Sequence, residues 1–232
     1  MNIAILPARG GSKRIKNKNI LKISGRPMIE WTIKKLINSK LFKHIIVSSD
    51  SKKIQNIAKR AGGEILFTRP KKLSDDKTGT YEVINHALEF LEKKKKIYPK
   101  YICCVYPTSI MINHKNLALG LKKIKSKKFE FSFSATDYGH PPQRGFYLKN
   151  NIPILLNKKN YKSRTQDQKK IFHDAGQFYW GKPLSWKKYK LMFSKKSFGI
   201  KIARHLALDI DDKEDIKLLK IVFKSQLKKN NL

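Results

Sequence analysis

The chain has 232 residues, 52 of them Lys or Arg and 17 Asp or Glu, for a formal net charge of +35. That length suits a single domain with a full core, and a content of 40% hydrophobic and 10% aromatic residues excludes intrinsic disorder. No apolar run reaches the roughly 18 residues of a membrane-spanning helix, and the adjacent Cys103 and Cys104 form no disulfide framework.

The elements follow in chain order. Ile3–Leu6 reads as a strand ending in Pro7 and the Gly10-Gly11 pair. The opening MNIAILPARGG has no basic leader and enters this loop after a few apolar residues, unlike a secretory signal, so the cytoplasm is the expected compartment. Met28–Ile37 has helical spacing with Pro27 at its first turn. His44–Ser48 is a strand, Ser51–Ala61 a helix stopped by Gly62-Gly63, and Glu64–Phe67 a third strand. Tyr81–Leu91 is an amphipathic helix that runs out into Lys93–Lys96, and Tyr101–Val105 is a strand apolar enough to be covered on both faces. Leu117–Ile124 is helical, and Phe131–Ala135 returns to strand. The segment from Asp137 to Tyr189 breaks the rhythm with Pro, Asn, Gln and aromatics and reads as hairpins, an insertion that covers the site or pairs subunits. Ser197–Ala203 resumes a strand and Asp212–Phe223 closes with a helix. Strand–helix alternation predicts a parallel sheet between helices, with ligands beyond the carboxyl ends of its strands.

The positive charge invites a nucleic-acid reading. However, 44 of the 52 basic residues are Lys and 8 are Arg, and the Lys are spread along the whole chain. Phosphate and base readout favours Arg and a concentrated face, so a solvated Lys-rich surface is the better account. No nucleic-acid or membrane partner is expected. The field still draws anionic small molecules, less so in salt.

The sharpest motif is Leu6–Asn19, LPARGGSKRIKNKN, a strand entering two glycines flanked by Arg9, Ser12, Lys13, Arg14 and, further on, Lys18-Asn19. Glycines let backbone N–H groups approach a ligand, Ser12 adds a hydroxyl, and the cations neutralise a polyphosphate. The spacing is neither Walker A nor GxGxxG, which counts against a P-loop ATPase and a dinucleotide-dependent dehydrogenase. Near the other end, LDIDDKED (Leu208–Asp215) holds five of the 17 acidic residues. Asp209 and Asp211, two apart on an extended segment, point to one side and suit Mg²⁺, which takes one or two carboxylates plus water and phosphate. Asp212 and Asp215 read as the cap and first turn of the last helix. Thr78 or Thr80 could equally cap the helix through Leu91, and Asp50 or Ser51 the helix before Gly62.

PARGGSKRIKNKN resembles the N-terminal signature of the cytidylyltransferases that activate nine-carbon keto-acid sugars, the CMP-sialic acid synthetase group, and the likeness runs through nearly the whole chain. The resemblance implies one domain over residues 1–232, a three-layer α/β/α Rossmann-like nucleotidyltransferase fold with an inserted β-rich segment, and a homodimer. It also implies CTP held by this loop through Ala8, Arg9, Gly10, Gly11, Ser12, Lys13, Arg14, Lys18 and Asn19, with Asp50 at the rim. Arg9 and Lys18 would stabilise the departing pyrophosphate, and Asp209 and Asp211 would hold Mg²⁺; the resemblance does not name the proton acceptor, for which metal-bound Asp211, acting directly or through water, is the candidate. Arg69-Pro70, followed by Leu73, Asp76, Thr78 and Thr80, resembles the stretch that reads cytosine, with Arg69, Thr78 and Thr80 at the contact positions.

The sugar half departs from the sialic-acid pattern. Tyr106 stands before Pro107-Thr108-Ser109 where those members carry Gln, and HDAGQFYWG (173–181) resembles the branch that activates pseudaminic acid. Tyr106, Gln177, Tyr179 and Arg164, the last from an Arg-x-Gln-Asp element, are the implied sugar contacts, although core packing equally accounts for Phe178, Tyr179 and Trp180. The rival acceptors are sialic acid, legionaminic acid and the eight-carbon Kdo. A glycosyltransferase is the alternative enzyme class, but its DxD pair usually falls mid-chain.

Overall fold

The computed structural model describes residues 1–188 and 191–229. Tyr189, where the expected insertion ends, lies outside the described residues. In chain order, β1 (Asn2–Pro7) is followed by a two-residue ribbon, β2 (Lys22–Ile23) and β3 (Arg26–Pro27), and then α1 (Met28–Asn38). Next come β4 (His44–Ser48), α2 (Lys52–Arg60), α3 (Thr80–Phe90), β5 (Tyr101–Val105), α4 (His114–Lys125) and β6 (Phe131–Asp137). A hairpin of β7 (Phe146–Lys149) and β8 (Ile152–Leu155) precedes β9 (Phe172–Gly181), α5 (Pro183–Lys188), β10 (Ser197–Lys201) and α6 (Lys213–Lys229).

Six strands form the central sheet in the order β10-β6-β9-β5-β1-β4. The alternation of side chains along each strand divides the core between two faces. Ala4 and Leu6 of β1, with Cys103 and Val105 of β5, pack against α1, α2 and α4. Ile3, Ile5, Ile102 and Cys104 face α3 and α5. Helices on both faces give three layers, which is why β1 and β5 are apolar almost throughout. A third cluster, including Met28, Ile210, Leu219 and Phe223, seats α6 on the start of α1. This brings the acidic segment near the C-terminus back toward the glycine loop.

Three expectations need correction. The sheet is mixed: β1 pairs in parallel with β4 and β5, but β9 runs antiparallel between β5 and β6. The chain enters β9 from the carboxyl edge of the sheet, after the excursion that follows β6, so it can only run backwards. Phe172–Gly181 is therefore a central strand, with Phe178, Tyr179 and Trp180 essentially inaccessible to solvent, and the excursion outside the sheet spans 138–171. Glu64–Phe67 is not a strand. It makes one bridge, Ile46 to Glu64, and then leaves the edge because Phe67 packs on His86 and Phe90 of α3, with ring centroids 4.9 Å away in each case.

The excursion itself is built on a tight turn. Asn150 and Asn151 both adopt positive φ, 50° and 63°, the left-handed pair that a two-residue hairpin loop requires. Its strands stand in solvent, with Phe146, Tyr147, Leu148 and Ile152 each more than half exposed.

Candidate active site

The loop after β1 is shaped from behind. Ala8 is fully buried and its N–H donates to the Ser48 carbonyl at 2.9 Å. The Gly10 N–H donates to Asp50 Oδ1 at 2.8 Å. A Cβ on Gly10 would stand 3.0 Å from the Ser51 Cβ, so any side chain here would press Ser51 at the start of α2 back by a few tenths of an ångström. Asp50 thus braces the loop, while Ser51 caps α2 by accepting from the Ile54 N–H at 3.5 Å. The Asn19 side chain donates to the Arg9 carbonyl at 2.9 Å and ties the far end of the loop to its start.

What the loop presents forward is a polar cavity of about 580 Å³. Arg9, Ser12, Lys13, Arg14, Lys18 and Asn19 line one wall, and Asp209 and Asp211 another. Residues nearly two hundred positions apart meet here through salt bridges. Arg14 Nη1 lies 2.6 Å from Asp211 Oδ2, and Lys18 Nζ lies 3.5 Å from Asp211 Oδ1 and 3.8 Å from Asp209 Oδ1. Behind the acidic pair, Gly176 adopts φ +59°, and a Cβ there would come within 3.7 Å of Asp209 Oδ2. A side chain at that position would touch the carboxylate at ordinary contact distance, but the left-handed backbone would be strained. Asp212 and Asp215 do cap α6: Asp212 Oδ1 accepts from the Glu214 and Asp215 N–H groups, and Asp215 Oδ2 from those of Asp211 and Asp212.

Arg69, Thr78, Thr80, Tyr106, Pro107 and Thr108 complete the lining. Arg69 is 4% exposed and donates to the Ser48 carbonyl at 2.5 Å. Burial pushes its guanidinium down to about 10, which leaves it cationic near neutral pH. Neither threonine caps α3, whose N-cap is Gly79. Thr78 donates to Asp75 Oδ1 at 2.6 Å, and Thr80 shares a 3.0 Å hydrogen bond with the Tyr106 hydroxyl. Burial raises the Tyr106 phenol to about 12, so it stays protonated and able to donate.

The residues implied for the sugar fall in different places. Tyr106 lines the cavity. Gln177 is buried with its amide on the Leu206 carbonyl. Tyr179 lies behind Tyr106, ring centroids 5.5 Å apart, and donates to Asp174 Oδ2 at 2.5 Å. Arg164 is exposed on the excursion, outside this lining. Asp76 was named in the sequence but given no function, and it proves to be the partner of both Arg9 and Lys13. An acid placed between a basic loop and a helix start was the available signal.

Among the described residues no group of three or more His, Cys, Asp or Glu could enclose a metal ion by itself. The Asp209–Asp211 pair fits Mg²⁺ in another way. Asp211 Oδ1 is buried and makes no hydrogen bond, with the Lys18 ammonium 3.5 Å away. Two hard carboxylates next to a phosphate-sized space suit an ion that completes its shell with substrate oxygens.

Cations facing carboxylates across a cavity at the carboxyl edge of a helix-covered sheet suit an α/β nucleotidyltransferase. The comparisons sharpen this. The chain belongs to the cytidylyltransferase family, whose model matches residues 3–228. It is 38% identical over 224 residues to the pseudaminic acid cytidylyltransferase of Campylobacter jejuni, covering 96% of each chain. With the N-acylneuraminate cytidylyltransferase of Escherichia coli it shares 29% identity over 219 residues, which is 93% of this chain and 50% of that protein. Among solved structures, CMP:2-keto-3-deoxy-manno-octonic acid synthetase complexed with CTP superposes with a TM-score of 0.70 over 97% of this chain and 99% of that one. At 12% identity that likeness speaks for the fold alone.

Proposed function

We propose that the enzyme transfers CMP from CTP to the anomeric hydroxyl of a nonulosonic acid, pseudaminic acid ahead of its relatives, releasing pyrophosphate. The observation that carries this reading is the convergence of the glycine-loop cations and the Asp209–Asp211 pair on one cavity. The choice of acceptor rests on the Campylobacter jejuni relative and on Tyr106 standing where sialic-acid members carry Gln.

The residues divide the work. Arg9, Lys13, the Gly11 N–H and the Ser12 hydroxyl receive the β- and γ-phosphates. Lys18, only 18% exposed at its side chain, neutralises charge as pyrophosphate departs. Arg69, Thr78 and Thr80 hold the nucleoside, and Tyr106 donates toward the sugar. The acceptor hydroxyl attacks the α-phosphorus in line, and Asp211 Oδ1 takes its proton. Catalysis comes from positioning and from charges fixed in advance. Mg²⁺, when held by Asp209 and Asp211, supplies neutralisation of the triphosphate and acidifies an oxygen bound to it. We further assign a homodimer built through the apolar hairpin of β7 and β8, and a cytoplasmic setting, where CTP is made.

The test is pyrophosphate release from CTP against a panel of purified nonulosonic acids, with and without Mg²⁺. Turnover with pseudaminic acid and metal dependence are expected. A preference for sialic or legionaminic acid would overturn the acceptor, and no CTP-dependent turnover with any acid would overturn the activity.

A further inference from the structure

The glycine loop carries two pairs of cations, and carboxylates hold both. Arg14 and Lys18 meet Asp211 and Asp209, which the reaction retains. Arg9 and Lys13 meet one residue from a different loop: Asp76 Oδ1 lies 2.5 Å from Arg9 Nη1, and Asp76 Oδ2 pairs with Lys13 Nζ. These are the cations that should receive the triphosphate. An anion bridging a guanidinium and an ammonium occupies the place of a phosphate oxyanion, since the Arg fork fits carboxylate and phosphate alike. Hydrogen bonds from Lys13 and Arg9 hold the Asp76 carboxyl below its usual range, which keeps it anionic.

The loop that carries Asp76 is fixed without it. The Arg69 N–H donates to the Ser49 carbonyl at 2.9 Å, and the Ser74 hydroxyl to the Pro70 carbonyl at 3.1 Å. Asp75 Oδ1 gathers the N–H groups of Lys77 and Thr78 and the Thr78 hydroxyl. The Asp76 carboxylate can therefore swing away while the turn around it stays intact.

We propose that Asp76 is an internal stand-in for phosphate, holding Arg9 and Lys13 in receiving position until the incoming triphosphate displaces it. The inference rests on the reading that this cavity takes CTP. It gives Asp76 a sign opposite to its neighbours, because removing its charge should tighten nucleotide binding where loss of the cations weakens it. Both pairs are partly exposed, so the gain is modest.

Titration calorimetry of CTP and of inorganic pyrophosphate tests this with the unsubstituted protein, Asp76→Asn, Asp76→Ser and Asp75→Asn at one ionic strength. Both Asp76 variants should bind both ligands about threefold more tightly. Asp75→Asn removes an equal charge from the same cavity but loosens the turn, and should bind more weakly. Unchanged or weaker binding by the Asp76 variants overturns the proposal, as does equal tightening in Asp75→Asn, which would trace the effect to net charge. Failure of CTP to bind the unsubstituted protein would overturn the reading of the cavity, and this inference with it.

Discussion

The nucleotide cavity and the β7–β8 hairpin solve opposite problems. Around the cavity, charges that would repel one another are matched inside the chain: Arg9 and Lys13 by Asp76, Arg14 and Lys18 by Asp211 and Asp209. On the hairpin, apolar side chains are left unmatched, with Leu148 61% and Ile152 65% exposed. The charges that line the cavity are met within the chain, whereas the hairpin offers an apolar face to the homodimer proposed above. A substitution in the first should damage chemistry and leave assembly alone; one in the second should do the reverse.

The largest effect is expected at the cavity. Arg9→Ala and Asp211→Ala should each lower kcat/KM by about 10²–10³, the range found when a charge-stabilising group is removed from a developing anion. Thermal midpoints near that of the unsubstituted protein would assign the loss to chemistry. Full activity in Asp211→Ala would remove the acidic pair from the mechanism.

Next comes the contrast in packing. Trp180 is fully buried, stacks on Phe42 with centroids 5.2 Å apart, and donates to the Leu117 carbonyl at 3.1 Å. Trp180→Ala should cost about 3–5 kcal/mol of stability in denaturant unfolding. Paired Leu148→Asp and Ile152→Asp substitutions should scarcely change the fold and should convert the proposed homodimer to monomers in light scattering. A dimer retained by that variant would place the interface elsewhere, and a monomeric unsubstituted protein would overturn the proposed assembly.

The same contrast explains what the sequence made legible. The glycine loop could be read because it is continuous: a strand end, two glycines and eight polar residues within fourteen positions. Asp209 and Asp211 could be read from spacing, but only the packing of α6 on α1 explains why they face that loop. The direction of β9 was not legible, since an antiparallel strand buried on both faces carries the same apolar pattern as a parallel one. Phe178, Tyr179 and Trp180 suggested either sugar contact or core, and burial places them in the core. Glu64–Phe67 has strand composition but lost its place to an aromatic contact with α3, a long-range event that local propensity does not register.

The smallest expected effect lies where the two regions join. Lys170, at the end of the excursion, bonds Asp137 at the end of β6 over 3.1 Å. The Lys170 hydrogen bond, with its charge, lowers the Asp137 carboxyl below its ordinary 3.8. A carboxyl depressed in the folded state adds stability that is complete above its unfolded value and is lost as pH falls through the lower folded one. Asp137→Asn should therefore lower the thermal midpoint slightly near neutral pH, and the two proteins should converge once the medium is acid enough to protonate the paired carboxyl. A difference that persists undiminished into that acid range would mean that Asp137 anchors the excursion by shape or by neutral hydrogen bonding rather than by charge. The hairpin would then be tied to the sheet independently of the charge matching that organises the cavity.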